Sequence, residues 1–129
     1  MKVYLAHNYA AKEMLRTVKQ QLEVAGITVT SRWIDANPDN PYDPKVMQDE
    51  AVKDVEDVLS ADALVHFSDN YGDRPGRGKY VEFGIAIPSG KRILLVGREH
   101  SGCVFYHLPR VEHYPAETTT NDLIKALLS

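Results

Sequence analysis

The chain has 129 residues, about the length of one domain, and can bury one hydrophobic core. Its formal net charge of −3 gives no basic field of the kind nucleic-acid-binding proteins carry, so polymeric DNA or RNA is not an expected partner. The single cysteine, Cys103, excludes an internal disulfide and a thiolate metal cluster. We expect one domain over residues 1–129 in the reducing cytoplasm, since no apolar run is long enough for a signal peptide or a membrane span.

The first elements are predicted to be a strand, a helix and a second strand. Residues 3–6 form a short apolar run, and Asn8 after it is suited to cap a helix. Gly26 is suited to end that helix, and the β-branched residues 27–30 favour a strand. The apolar positions of the helix recur at the spacing of one face: Ala11, Met14, Leu15, Val18, Leu22 and Ala25.

A long loop and a second helix follow. Asp, Asn and Pro dominate residues 34–44, and this loop is long enough to be functional. Pro44 suits the first turn of a helix that runs to about Ser60. On the helical wheel Asp54 stands at the edge of the apolar stripe, whereas Asp57 points further away. We expect the stripe to pack on the core; its members are Met47, Ala51, Val55, Val58 and Leu59.

The second half of the chain continues the alternation of strands and helices. We predict strands at residues 63–67, 93–96 and 111–114. A short helix is predicted at residues 80–87, a turn at 101–102 and a closing helix at 120–128. This order predicts an α/β fold with a parallel sheet of about five strands flanked by helices. Ligands of such sheets bind beyond the carboxyl ends of the strands, here at loops 7–9, 33–42, 68–79 and 97–105.

Two carboxylates stand out as candidate catalytic residues. Glu82 is the only charge in the apolar segment 80–87, and a buried carboxylate is costly unless it is paired or used. The alternative is a glutamate at a helix start that accepts backbone N–H groups beside Lys79 or Arg77. Asp54 is either a site residue at the rim of a packed face or a boundary aspartate paired with a lysine.

The loop before Glu82 is glycine-rich and basic. Gly76, Arg77 and Gly78 lead into a predicted helix N-terminus, a combination that suits an anion such as phosphate. It matches neither a Walker loop nor a GxGxxG fingerprint, and a mobile surface loop is the alternative. Trp33 and three tyrosines near the candidate loops could stack on a base or simply pack. The histidine spacing indicates no metal site, and no serine lies in a GxSxG elbow.

Four segments in order carry a family pattern. Residues 3–6 form a strand with a tyrosine, and residues 54–62 place two aspartates eight positions apart. Residues 76–86 read as a glycine loop followed by Glu-x-Gly-x-Ala, and residues 90–96 as the next strand. Together they resemble the nucleoside 2-deoxyribosyltransferase superfamily, which includes the 2′-deoxynucleoside 5′-monophosphate N-glycosidases.

The resemblance implies a Rossmann- or flavodoxin-like fold and chemistry at the N-glycosidic bond of a small nucleoside or nucleotide, with no metal or cofactor. Glu82 would be the nucleophile at C1′, Tyr4 would orient it, and Asp54 would bind the sugar or act on the base. In that family a neighbouring subunit completes the site. We also expect a homodimer or larger homo-oligomer, because the apolar segment 80–87 and the aromatic pair Phe105–Tyr106 would expose an apolar patch on so small a domain. We add His7, Asn8 and Trp33 from the candidate loops as substrate-binding residues.

The chain also departs from the family pattern. The base-reading aspartate corresponds to Asp69 or Asp73, and the sequence does not decide between them. The first loop lacks the Gly/Ser-rich phosphate segment, so Arg74, Arg77 or Lys79 would take that role. Two other functions stay open: cleavage of the nicotinamide glycosidic bond of NAD, as in TIR-like proteins, and a catalytically idle nucleotide-binding module.

Overall fold

The computed structural model describes residues 1–72, 76–98 and 103–129. Asp73, Arg74 and the predicted turn at 101–102 lie outside these residues. The strands are β1 (Lys2–Ala6), β2 (Thr28–Val29), β3 (Ala63–Phe67), β4 (Arg92–Val96) and β5 (Val111–Tyr114). The helices are α1 (Lys12–Val24), α2 (Pro44–Ser60), α3 (Arg77–Ala86) and α4 (Thr120–Leu128), with short 3-10 turns at Tyr9–Ala11, Arg32–Ile34 and Val104–His107.

The five strands form one parallel sheet in the order β2-β1-β3-β4-β5. This confirms the predicted α/β fold with helices flanking a parallel sheet. Tyr4 pairs with Leu64, and Leu64 with Ile93, so these side chains point to the same face. Helix α1 packs with α4, and α2 packs with α3, which gives the sheet two helical layers. No helix in the described part of the chain is long and apolar enough to cross a bilayer.

Helix α1 buries the face that its sequence pattern predicts. Leu15, Val18 and Leu22 are buried in the core, and Gly26 follows the helix with a φ of 87° that favours glycine. The predicted cap is different in detail. Asn8 precedes the 3-10 turn and accepts from the Ala11 backbone through its carbonyl, but its side chain makes no capping hydrogen bond.

Helix α2 has the predicted bounds, but the prediction of its buried face is wrong. Asp43 caps the helix through the Lys45 amide, and Pro44 occupies its first position. Asp57 and Val58 are the buried residues of the helix. Most of the predicted core stripe is exposed instead: Met47, Ala51, Val55 and Leu59. The helix is therefore rotated by about a quarter turn from the predicted orientation.

Helix α3 begins at Arg77, three residues earlier than predicted, because Gly76 serves as its N-terminal cap residue. Its buried residues are Lys79, Glu82, Phe83 and Ala86. Positions separated by three, four and seven residues share one helical face, so this face carries both a lysine and a glutamate into the interior.

Candidate active site

Glu82 and Tyr4 meet in the protein interior between the sheet and α3. Tyr4 is fully buried in the middle of β1, and its hydroxyl donates a hydrogen bond to Oε2 of Glu82. Glu82 is 8% exposed and lies in the middle of α3 rather than at its start. The carboxylate is therefore held by a side chain from the sheet and not by free N–H groups at the helix N-terminus.

Asp54 lies close enough to this pair for its charge to act on both residues. It projects from α2, and its Oδ1 atom is buried with no hydrogen-bond partner in the described part of the chain. A buried acceptor without a partner is uncommon in folded proteins. The structure thus joins Glu82 to Tyr4 by a hydrogen bond and leaves Asp54 within electrostatic range of both.

Burial shifts the ionisation of all three groups toward their neutral forms. Desolvation, together with the charge of Asp54, raises the pKa of Glu82 to about 8, although the Tyr4 hydrogen bond opposes the shift. Desolvation and the charges of Glu50 and Asp57 raise the pKa of Asp54 to about 7. The pKa of Tyr4 is also raised, mainly by burial, so its hydroxyl remains a donor. Two carboxyl groups that titrate near neutrality are suited to acid–base chemistry.

Asp57, predicted to point away, is an anchor for the loop after β2. It is 6% exposed, and its carboxylate accepts hydrogen bonds from the backbone amide and Nε of Arg32 at 3.0 and 2.9 Å. The Thr30 hydroxyl adds a bond to the Asp57 carbonyl at 2.8 Å. These contacts turn the side of α2 that bears Asp54 and Asp57 toward the sheet, which explains the unexpected rotation of the helix.

His7 and Asp69, two predicted substrate-binding residues, line a cavity away from Glu82. The cavity has a volume of about 510 Å³, lies between α1 and α4, and is not lined by Glu82, Asp54 or Tyr4. The His7 ring stacks on Phe67 at 5.1 Å, and burial lowers the His7 pKa to about 4. The cavity therefore groups His7 and Asp69 with residues of α1 and α4 rather than with the catalytic candidates, although the charge of Asp69 also acts on Lys79 of α3.

The other predicted substrate-binding residues have different environments. Trp33 is 9% exposed and donates its indole N–H to the Leu5 carbonyl at 3.1 Å, so most of its ring packs in the core. Asn8 is buried, while Arg77 and Gly78 are exposed at the start of α3. Gly76 packs directly on Asn8.

Lys79 is the residue of this region whose burial the sequence analysis missed. The helical spacing was available as a signal, because Lys79 lies three residues before Glu82 on the same face.

No group of three His, Cys, Asp or Glu side chains that could hold a metal ion occurs among residues 1–72, 76–98 and 103–129.

The chain is similar in structure to known enzymes across nearly its whole length. The CMP N-glycosidase BcmB from Clostridium botulinum matches with a TM-score of 0.64 and 18% identity, covering 100% of both chains. The 2-deoxyribosyltransferase from Bacillus psychrosaccharolyticus matches with a TM-score of 0.67 and 24% identity, over 96% of this chain and 90% of that one.

This chain has the nucleoside 2-deoxyribosyltransferase fold. A conserved protein from Enterococcus faecalis V583 is also similar, with a TM-score of 0.58, 22% identity and coverage of 98% of this chain and 87% of that one. No protein-family model and no curated protein sequence matches the chain. The resemblance to the deoxyribosyltransferase fold that the sequence motifs indicate is thus confirmed by structural similarity.

Proposed function

We propose that this protein cleaves the N-glycosidic bond of a 2′-deoxynucleoside or its 5′-monophosphate, with Glu82 as nucleophile. The sugar is then passed to water or to a second base. The observation that carries the proposal is the buried Glu82 carboxyl group, held by Tyr4 and electrostatically coupled to Asp54. Burying two interacting carboxyl groups costs free energy of folding, and active sites are where proteins retain such arrangements.

In the first step, Oε1 of ionised Glu82 forms a bond to C1′ while the bond from C1′ to the base nitrogen breaks. The electron pair of that bond moves to the base, and the protonated Asp54 donates a proton to it. The transition state has oxocarbenium character, which the adjacent carboxylate stabilises. The product is a glycosyl ester on Glu82, with Asp54 left ionised.

In the second step, water or the nitrogen of a second base attacks C1′, and the ester bond to Glu82 breaks. The attacking group gives its proton to Asp54, which restores the starting protonation of the site. Hydrolysis and transfer differ only in the attacking group. Throughout, the Tyr4 hydroxyl holds Oε2 and leaves Oε1 directed at the substrate.

The substrate class is supported by the structural neighbours and by local charge. The neighbouring Clostridium botulinum enzyme is a CMP N-glycosidase and the Bacillus enzyme a 2-deoxyribosyltransferase, so a nucleoside 5′-monophosphate and a 2-deoxyribosyl group each have a precedent as substrate on this fold. Arg77 is exposed in the first turn of α3, where a cation and a helix N-terminus together favour an anionic group.

A substrate panel tests this function. The protein is incubated with the common deoxynucleosides, their 5′-monophosphates, CMP and NAD, and the released base is separated by chromatography. We expect release from at least one deoxynucleoside or deoxynucleotide, reduced about a thousandfold or more in Glu82→Gln and Glu82→Ala.

The control for general damage is Glu112→Gln, because Glu112 pairs with Arg92 on β4 and lies away from the site. It should retain activity. Release from NAD alone, tight nucleotide binding without release, or near-normal turnover in both Glu82 variants would each contradict the proposal.

A further inference from the structure

Lys79 is a buried lysine whose ammonium protons all have oxygen acceptors. It is 1% exposed and lies in the first turn of α3. Its Nζ atom lies 3.1 Å from Asn8 Oδ1, 3.1 Å from the Ser68 carbonyl and 3.5 Å from Asn70 Oδ1. A lysine ammonium has three N–H donors, so these three acceptors satisfy it. Lys79 is therefore not placed to bind a substrate phosphate directly, in contrast to the sequence-based interpretation.

The three acceptors belong to separate parts of the carboxyl edge of the sheet. Asn8 lies in the loop after β1, Ser68 directly follows β3, and Asn70 lies in the segment that leads toward α3. These segments also pack closely, since a Cβ atom added at Gly76 would lie 3.0 Å from Cγ and Oδ1 of Asn8. One ammonium thus joins the start of α3 to both loops.

We propose that Lys79 is a positioning residue that clamps the loop after β1 to the loop after β3, and so sets the shape of the substrate-binding edge beside Glu82. Lys79 and Glu82 are three residues apart on one face of α3. The same clamp therefore fixes the first turn of the helix that carries the nucleophile.

The chemistry of the contacts favours a clamp over simple filling of the core. None of the three acceptors is a carboxylate, so no direct ion pair offsets the cost of burying the ammonium, and the charge of Asp69 compensates for it only in part. Burial accordingly lowers the Lys79 pKa. An apolar side chain would fill the space without that cost, but it would remove the ammonium that joins the Asn8, Ser68 and Asn70 oxygens.

Hydrogen exchange tests the clamp without reference to any reaction. In Lys79→Met, we expect amides of residues 8–10, 69–72 and 76–78 to exchange about tenfold faster or more, while β1 and β4 keep their protection. Lys91→Met is the matched control, because Lys91 also donates to a carbonyl, that of Leu59 at 2.6 Å, but lies at the amino end of β4. It should leave the exchange of these loops unchanged.

The acceptor side provides a second pair of variants. Asn8→Asp keeps an oxygen acceptor for the ammonium and should retain slow exchange in residues 69–72 and 76–78. Asn8→Leu removes the acceptor at similar volume and should reproduce the effect of Lys79→Met. The double variant Lys79→Met/Asn8→Leu should be no worse than either single variant, because both remove the same contact.

Kinetics give a third readout, which rests on the proposed function. Lys79→Met should raise KM about tenfold and change kcat by less than about threefold, as expected for a residue that positions binding loops. Unchanged loop exchange in Lys79→Met and Asn8→Leu would overturn the proposal, as would faster exchange spread evenly through the sheet. Altered loop exchange in a protein that releases no base would retain the clamp and reject the enzymatic function.

Discussion

Glu82 and Asp54 are two interacting acids, and the proposed mechanism requires one proton on the pair, held by Asp54. Because the Glu82 pKa is the higher of the two, this reactive form is the less populated of the two singly protonated forms. Burial raises the pKa of Glu82 to about 8 and that of Asp54 to about 7. Because the two charges interact, these values describe the pair rather than each residue independently. At pH values below about 7 both groups are protonated and the nucleophile is lost. At pH values above about 8 both groups are ionised and the acid is lost.

We therefore predict a bell-shaped dependence of kcat/KM on pH, with a maximum between about 7 and 8. Asp54→Asn should abolish the alkaline limb, because no acid remains to be lost. The acid limb should stay in place or move to slightly higher pH, because Asp54 is already uncharged in the doubly protonated pair and only Glu82, with its raised pKa, then loses a proton. Rates measured from about pH 5 to about pH 10 give both limbs. An alkaline limb that persists in Asp54→Asn would assign the acid to another group.

At the scale of helices, α2 divides its carboxylates between two roles. Asp54 has a buried oxygen without a hydrogen-bond partner among the described residues, whereas Asp57 makes several bonds to Arg32. We expect Asp54→Asn to lower kcat strongly with little loss of stability. Asp57→Asn should lower the melting temperature and affect activity much less.

Thermal unfolding and initial rates on the same preparations separate these two effects. Asp57→Asn weakens an ion pair whose arginine is largely exposed, so a loss of some degrees is expected rather than unfolding. Equal losses of activity in the two variants would show that the wrong carboxylate of α2 has been assigned to the site.

The bounds of α2 could be predicted because they depend on local chemistry. Asp43 and Pro44 specify its start wherever the helix packs. Its orientation could not be predicted, because it depends on Arg32 and Thr30, which lie far away in the sequence and bond to Asp57. An apolar stripe shows that a helix has an apolar face, but not which surface covers it.

The environments of the site residues likewise depend on contacts between segments that are distant in the sequence. The pairing of Glu82 with Tyr4 followed from family motifs in both segments, whereas the burial of Lys79 depends on acceptors in other loops. His7 and Asp69 were grouped with Glu82 because all lie near the carboxyl edge. The structure instead places His7 and Asp69 in a cavity that Glu82 does not line, a grouping that depends on tertiary packing against α1 and α4.

For the whole molecule, α2 and α3 leave several apolar side chains exposed in the isolated chain. Val55 and Leu59 on α2 and Val81 on α3 are 41%, 49% and 64% exposed. The two helices pack against each other, so their outer surfaces are neighbours. Exposed apolar side chains on two adjoining helices are typical of an interface, and we propose that a second copy of the chain covers them.

We predict a homodimer or larger symmetric assembly that Val55→Asp or Val81→Asp converts to monomers with reduced activity. Val24→Asp is the control, since Val24 is 90% exposed at the end of α1, in the other helical layer. It should leave the assembly intact. Light scattering at tens of micromolar gives the mass, and a fully active monomer at that concentration would contradict both the assembly and a site completed by a neighbouring subunit.

The measurement that tests the role of Glu82 most directly is the mass of the protein during turnover of a 2′-fluoro-arabinosyl nucleoside or its monophosphate. The fluorine destabilises the oxocarbenium-like states for formation and breakdown of the ester, while a good leaving base restores the first step only. We predict that the protein gains the mass of the fluorinated sugar, that peptide mapping places it on Glu82, and that water or an added base removes it. An active protein that never carries the adduct, or carries it on another residue, would show that Glu82 is not the nucleophile.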